Sequence, residues 1–351
     1  MTQDAVAILY QALPPPVIDG LRKDAKPGGY SDGGADIAFV LRGQGHRVLT
    51  PAADPDPTRP LDWVFPDTVD GIATAIAAGA TILWANSVLF EGHPLEAVLG
   101  QVRIVGQLPE LMQRYDDKFA TNRMLEQDGL PVARSFLMAQ AARAGVWALA
   151  EVEAALAEAG LSFPLIVKPV RGRGSQGVSR VADLVALRAA ATGLIADAKF
   201  GDTLIIEEYL AGEEVTVTVM PPAGDGRTHR ALRPVRRFDQ KDGVAPYNGD
   251  VAVTANSVAI SEHELASPTV QAMLGACVRA AALVGARAPI RIDCRADASG
   301  NFKLFDLNMK PNMTGPGRPG RDDQDCLSAI AARADGWDFA RLLEAMLGAA
   351  W

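Results

Sequence analysis

Two alternating runs within Arg291–Thr314, RIDCRADASGNFKLFDLNMKPNMT, constrain this chain more than any other stretch. They flank Asp297-Ala298-Ser299-Gly300, in which Ser-Gly can serve as a two-residue hairpin loop. With that loop, or with a four-residue loop from Ala298 to Asn301, Ala298 faces Asn301, Asp293 faces Asp306 and Arg291 faces Asn308. Side chains alternate along a strand, so Arg291, Asp293, Asp306 and Asn308 share one face. Ile292, Cys294, Phe305 and Leu307 share the other, which belongs on a core. Like charges directly opposite one another destabilise a sheet, so the facing carboxylates require a compensating cation. Arg291 supplies one as a structural ion pair. A hard divalent cation such as Mg²⁺, which takes oxygen ligands and keeps waters and phosphates in its shell, supplies another. The hairpin alone leaves both readings open.

The remainder bounds the answer. At 351 residues, 48% hydrophobic and 22% charged, the chain has the balance of a soluble globular protein of two or three domains. A net charge of −8 argues against nucleic acid or an anionic membrane as partner. Cys277, Cys294 and Cys326 are widely spaced and odd in number, which fits buried thiols in a reducing, cytoplasmic setting rather than disulfides or a zinc site. The N-terminal residues lack a signal-peptide pattern, and no apolar run reaches membrane-span length.

Taken in order, Ala5–Tyr10 is expected as a buried strand, followed by a glycine-bearing segment in which Ser31 or Asp32 caps a helix, and a strand at Arg47–Thr50. This order predicts a parallel sheet with ligand loops at the strand ends. A helix at 69–78 leads to a strand at 81–85 and a polar loop containing Glu91 and His93. For His93 the plain expectation is a solvated loop residue. A domain boundary is placed near 115. Helices are expected from 117 to about 127, 146–159, 184–197 and 263–284, with two more near 324–334 and 337–347. Leu165–Val167 is a strand that delivers Lys168 to a glycine-rich loop, Arg171–Gly177. Such a loop brings backbone N–H groups close to phosphate oxygens while a lysine adds charge. A flexible solvated hairpin is the alternative. Leu204–Glu208 and Val215–Met220 are strands joined by a bend bearing acidic residues. Arg227–Arg237 is strand-like and basic, and residues 238–250, with Lys241, form a polar lid-like loop.

Four blocks, DDKFATNRMLEQDGLPV, PLIVKPVRGRGSQGVSRV, LIIEEYLAGEEVTV and the hairpin, resemble the ATP-grasp superfamily, in particular its D-alanine–D-alanine ligase-like branch. The resemblance covers residues 115 to 351 and implies an α/β (α+β ATP-grasp) fold. It implies an N-terminal domain at 1–115, a central subdomain at 116–208 and a C-terminal metal-binding subdomain at 209–351. It implies ATP held by Lys118, Lys168, Arg171, Gly174, Ser175, Gly177, Glu207, Glu208, Tyr209, Leu210 and Glu214. Glu207 would meet the adenine amino group and Glu214 the ribose hydroxyls. Asp293, Asp306 and Asn308 would hold two Mg²⁺ ions, with Mn²⁺ as a substitute. Arg291, Lys241 and Asn312 fall to catalysis, and Ser31, Asp32, Glu91 and Gly317 to substrate. Asn312 stands where the branch carries a glycine, Gly317 where it carries a serine, and Gly33 where it carries a glutamate.

The implied activity is an ADP-forming carboxylate–amine ligase working through an acyl phosphate on small-molecule substrates other than the D-alanine pair. A homodimer is common among such ligases. Alternatives are a phosphotransferase, an intramolecular cyclising ligase and a nucleotide-binding module without catalysis.

Overall fold

A computed structural model describes residues 4–139, 149–172, 174–223, 226, 228–244 and 252–351. Part of the expected lid loop (245–250), the start of the expected 146–159 helix, Arg173 and Arg227 lie outside the described residues.

The first sheet is parallel, as the strand–loop–helix–strand order requires. Ala5–Tyr10 lies at its centre, paired with Arg47–Leu49, Phe65–Pro66 and Ile82–Asn86, and Arg103–Val105 extends it. Helices Ser31–Gly43 and Val69–Ala77 pack against it. The central run AVAIL is fully buried, the pattern of a strand covered on both faces. Ser31 does not cap its helix. Tyr30 holds that place in the left-handed region without a side-chain cap, and Ser31 is the first helical residue.

The second sheet is antiparallel, in the order Ser179–Val181, Leu165–Pro169, Thr203–Glu208, Ser135–Ala139. It keeps a core of its own with helices Leu149–Ala159 and Leu184–Ala196, through Val152, Leu187 and Ile206. The third runs Ser257–Ala259, Val235–Arg237, Glu214–Met220, Ile290–Ala296, Phe302–Asn308, with Arg230–Ala231 also on Glu214–Met220. Over residues 228–237 the basic run holds two short strands, and Pro234, which has no N–H to donate, lies between them. The long helix expected from 263 is Glu262–Leu265 and Pro268–Leu283, the second opening on a proline that tolerates the first helical turn.

The first and third sheets share their cores. Leu9, Phe65 and Leu83 belong to one buried cluster with Val217, Ile292 and Leu304. Ile8, Ile37 and Leu41 belong to a second with Val235, Leu327 and Leu343. The central sheet therefore stands apart as a separately packed layer over a joined base. No helix among the described residues is long and apolar enough to cross a membrane.

In the hairpin, Arg291 pairs with Asn308 and Asp293 with Asp306, as expected. Nearer the turn the expectation fails. Ala296 pairs with Phe302, so Asp297–Asn301 is a five-residue loop with Gly300 at φ +82. A register shift beside Cys294, which pairs with Leu304, restores the alignment. The extra residue is Phe305, and the bulge turns it out of the core. Leu304 takes the buried place instead.

His93 is neither solvated nor aimed at a ligand loop. It is 1% exposed, and its Nε2 lies 3.2 Å from Asp67 Oδ2, which also accepts from Ser87. Asp67 Oδ1 accepts the N–H groups of Ala12 and Leu13 at 2.8 and 2.9 Å. Burial pushes the Asp67 carboxyl up, but the hydrogen bonds from His93 and Ser87 outweigh it and hold the group below its ordinary value. A depressed carboxyl contributes stability above its unfolded value and loses it as pH falls through the lower folded value. Asp67→Asn will therefore flatten the acid limb of a stability–pH profile measured by urea unfolding. An unchanged acid limb contradicts this role.

Candidate functional site

Between the central sheet and the joined base lies an open cleft. Its floor is the polar face of the hairpin, with Asp293, Arg295, Phe305 and Asp306. Its roof is Ile166, Lys168 and the glycine loop, through Gly172, Gly174, Ser175 and Gln176. The bend Glu207–Leu210 and Glu214 close one end, and the turn at Gly243 and Val244 lies beside them.

Strand pairing explains the roof. Lys168 faces Ile205 and Glu207 faces Ile166, so Lys168 and Glu207 are diagonal neighbours within reach of long side chains. Lys168 Nζ donates to Glu207 Oε1 at 2.7 Å and to the Phe305 carbonyl at 3.3 Å, with both side chains buried. Burial raises the Glu207 carboxyl above its ordinary value, although Lys168 opposes the shift. Glu207 Oε2 is buried without a hydrogen-bond partner, an acceptor awaiting a donor from whatever enters the cleft.

Lys118 opens helix Lys118–Gln127, whose Asp117 cap accepts from Ala120 N at 2.8 Å. A cation in a first helical turn opposes the helix dipole. Here Lys118 Nζ is held by Asp306 Oδ1 at 2.7 Å. Burial works against both charges, but each outweighs it for the other. The Lys118 ammonium is held above its ordinary value, and Asp306, with Lys168 also acting on it, below. Asp293 accepts from Thr216, its partner across the strands, at 2.7 Å, and from Arg291 at 3.3 and 3.4 Å. Asn308 Oδ1 accepts the Lys310 N–H at 2.9 Å.

Some expected residues stand elsewhere. Lys241 is exposed and does not line the cleft, whereas its neighbours Gly243 and Val244 do. Arg171 points back to Asp117 at 3.4 Å and Asp19 at 3.7 Å. Gly177 packs against Leu194, Phe200 and Pro169. Glu208 gives its carboxylate to Arg134 and Lys303, and its backbone N–H donates to the Arg134 carbonyl at 3.0 Å. Glu91 is exposed beyond the first sheet. Gly317 is exposed and abuts Val40. Ser31 is buried and Asp32 exposed, 3.7 Å from Arg318. The Gly33 backbone abuts Met313 and Thr314, so the Ser31 segment and the Pro311–Asp323 loop do meet. Asn312 Oδ1 accepts from Lys26 at 3.3 Å, beside Tyr30, whose ring centre has Lys26 and Lys310 ammoniums at 4.3 and 4.1 Å.

Arg295, Phe305, Thr216 and Gln240 were not anticipated. Arg295 had a signal, since alternation places it with Arg291 and Asp293. Phe305 had none, because the bulge leaves no mark in the residue pattern.

Residues 124–348 match the family model described as D-ala D-ala ligase C-terminus. The chain belongs to that family. It is 31% identical over 236 residues to a D-alanine–D-alanine ligase of Ectopseudomonas mendocina, covering 66% of this chain and 64% of that one. It is 32% identical over 198 residues to one of Haemophilus influenzae, covering 56% and 61%. The matches thus span a little under two thirds of these relatives. Among solved structures, the D-alanine–D-alanine ligase of Bacillus anthracis complexed with ATP superposes with a TM-score of 0.65 at 14% identity, over 98% of this chain and 95% of that one. The VanG D-Ala:D-Ser ligase of Enterococcus faecalis gives 0.66 at 15%, over 99% of both. These likenesses show the fold, which is ATP-grasp α+β as expected.

The cleft fits the nucleotide and metal of that family by its own chemistry. The orphaned Glu207 Oε2 can accept an amino N–H, and Lys118 and Lys168 bring two ammoniums toward the floor. Asp293, Asp306 and Asn308 offer oxygen donors only. Among the described residues no three His, Cys, Asp or Glu gather to cage a metal alone. Two carboxylates without a cage suit Mg²⁺, which shares its shell with waters and phosphates.

Proposed function

We propose that this chain is an ADP-forming carboxylate–amine ligase, with ATP as a substrate in the cleft. The observation that carries this is the Asp293–Asp306 pair, faced in register on the cleft floor with Lys118 on one carboxylate and the buried Lys168–Glu207 pair above. Lys118 and Lys168 would hold phosphates, Glu207 and the 208–210 backbone the base, and Glu214 the ribose. Gly174 and Ser175 would cover the phosphates. Asp293, Asp306 and Asn308 would hold Mg²⁺, two ions in the reading we favour. Magnesium supplies charge neutralisation to the transferring phosphoryl group.

In the first step, a carboxylate oxygen of the acid attacks the terminal phosphorus and the bond to ADP breaks. In the second, an amine attacks the acyl carbon, loses a proton, and phosphate leaves. Arg291, anchored on Asp293, would stabilise negative charge on the acyl oxygen. A cleft roofed by the glycine loop would keep water from the acyl phosphate.

Amino-acid-type substrates other than the D-alanine pair fit this chain best. Gly33, Asn312 and Gly317 are the departures that support this, and Asn312 is engaged by Lys26 in a corner rich in ammonium groups. An ADP-release screen of amino acids and small carboxylates, singly and paired, with mass detection of product, tests the reading. ADP release that needs both an acid and an amine is expected. A stable phosphorylated product formed without an amine would instead make the chain a phosphotransferase.

A further inference from the structure

Arg295 is the most heavily engaged side chain in the cleft. It lies two residues beyond Asp293 and so on the same face of the strand. Its Nε donates to the Gly212 carbonyl at 3.1 Å and its Nη1 to the Gly243 carbonyl at 2.7 Å. Its Nη2 donates to the Tyr209 hydroxyl at 3.1 Å and to Gln240 Oε1 at 2.9 Å. The guanidinium stacks over the Tyr209 ring at 4.9 Å. One residue thus ties the 209–214 bend, the 240–244 turn and the metal-bearing strand together. The turn sits tightly there. A Cβ added to Gly243, at φ +75, would lie 2.5 Å from the Tyr209 hydroxyl.

The network reaches Glu214. Arg295 Nη1 lies 3.6 Å from Glu214 Oε2, and Gln240 Nε2 donates to that same oxygen at 2.6 Å. A primary amide has one acceptor side and one donor side. Arg295 takes the acceptor side of Gln240 and so turns its N–H₂ toward Glu214. Both contacts fall on one carboxylate oxygen, which fixes the plane and direction of the group.

We propose that Arg295, with Gln240 as its relay, is a positioning residue that aims Glu214 at a vicinal diol and holds the 240–244 turn beside it, making the cleft selective for ribonucleotides over 2′-deoxyribonucleotides. This rests on the nucleotide reading of the cleft and goes beyond it by assigning selectivity to residues that touch neither phosphate nor base. Arg295 has no part in the chemical steps.

The test is direct binding of ATP and 2′-deoxy-ATP with Mg²⁺, by calorimetry, on the full chain, with no acid or amine present. The wild-type chain is expected to prefer ATP by about tenfold or more, the worth of one well-placed hydrogen bond to a charged group. Arg295→Met keeps a long unbranched side chain against Tyr209 and removes the charge and all five N–H donors. It is expected to weaken ATP about ten- to a hundredfold and to bring the two nucleotides within about twofold of each other. Gln240→Leu leaves Arg295 in place, sits in a surface turn and should also lose the discrimination. It serves if Arg295→Met does not fold. A merely structural role would weaken both nucleotides alike. Discrimination that persists in both variants overturns the proposal, as does a wild-type chain that binds the two nucleotides equally. A wild-type chain that binds neither overturns the nucleotide reading itself, which separates that failure from this one.

Discussion

Replacing Asp306 by asparagine will lower kcat/KM for substrate-dependent ADP release by about a thousandfold or more, roughly 4 kcal/mol of transition-state stabilisation. Asparagine keeps the shape and the strand, so the loss will not come from misfolding. It removes the anion that faces Asp293 and holds Lys118 at 2.7 Å. With a neutral amide there, the proposed metal set would lose half its charge, and Lys118 would lose the anionic partner that holds its ammonium at the floor. Asp293→Asn should act alike: it leaves one acceptor oxygen for Thr216 and Arg291 but removes the charge that Arg291 pairs with. The check is steady-state ADP release beside a thermal melt. Full activity in either variant would show that the facing carboxylates are only a charge-compensated structural pair.

Asp36→Ala will destabilise the chain by about 3–5 kcal/mol, the cost of leaving a buried charge without its partner. Asp36 is fully buried in helix Ser31–Gly43. Its Oδ1 accepts from Arg318 Nε at 2.7 Å and Arg321 Nε at 2.8 Å, and its Oδ2 from Arg321 Nη2 at 3.0 Å. Arg318 is itself 2% exposed, and its other polar partners among the described residues are the carbonyls of Pro57 and Asp32 and the edge of the Asp32 carboxylate. One carboxylate therefore pins the Pro311–Asp323 loop to the helix that carries Ser31. Urea unfolding measures the loss. Replacing Asp36 and Arg318 together with methionine should recover much of it, because a hydrophobic pair leaves no Arg318 charge stranded. An Asp36→Ala midpoint equal to wild type would contradict the pinning.

The hairpin shows how far the sequence carries. Asp293 does face Asp306, but the pairing holds because two departures cancel. The loop is Asp297–Asn301 rather than a two- or four-residue turn, and the bulge at Phe305 restores the register. Neither departure is written in the alternation, since Phe305 and Leu304 exchange roles through backbone geometry alone. Lys168 and Glu207 were legible because each ends an apolar strand, and diagonal pairing then brings them together. Arg171 and Lys241 were misplaced for the opposite reason. A cation in a loop has many partners within reach, and Asp117 and Asp19 drew Arg171 from the cleft. The solvated reading of His93 failed because its partner, Asp67, lies on a segment far away in sequence. The Asp36–Arg318 pair escaped notice likewise, since 282 positions separate its members. Contacts made within a strand pair are readable in advance, and contacts made by the fold as a whole are not.

A carboxylate activated as an acyl phosphate in this cleft and then passed to an amine would leave one of its oxygens in the phosphate. The most direct measurement gives the chain ATP, Mg²⁺, an amine and an acid labelled with ¹⁸O in its carboxylate, and follows the label by mass. One ¹⁸O carried from the acid into the released phosphate for each amide formed is the expected result. Phosphate that carries no label, while ADP accumulates, would mean that water takes the phosphoryl group and would contradict the account.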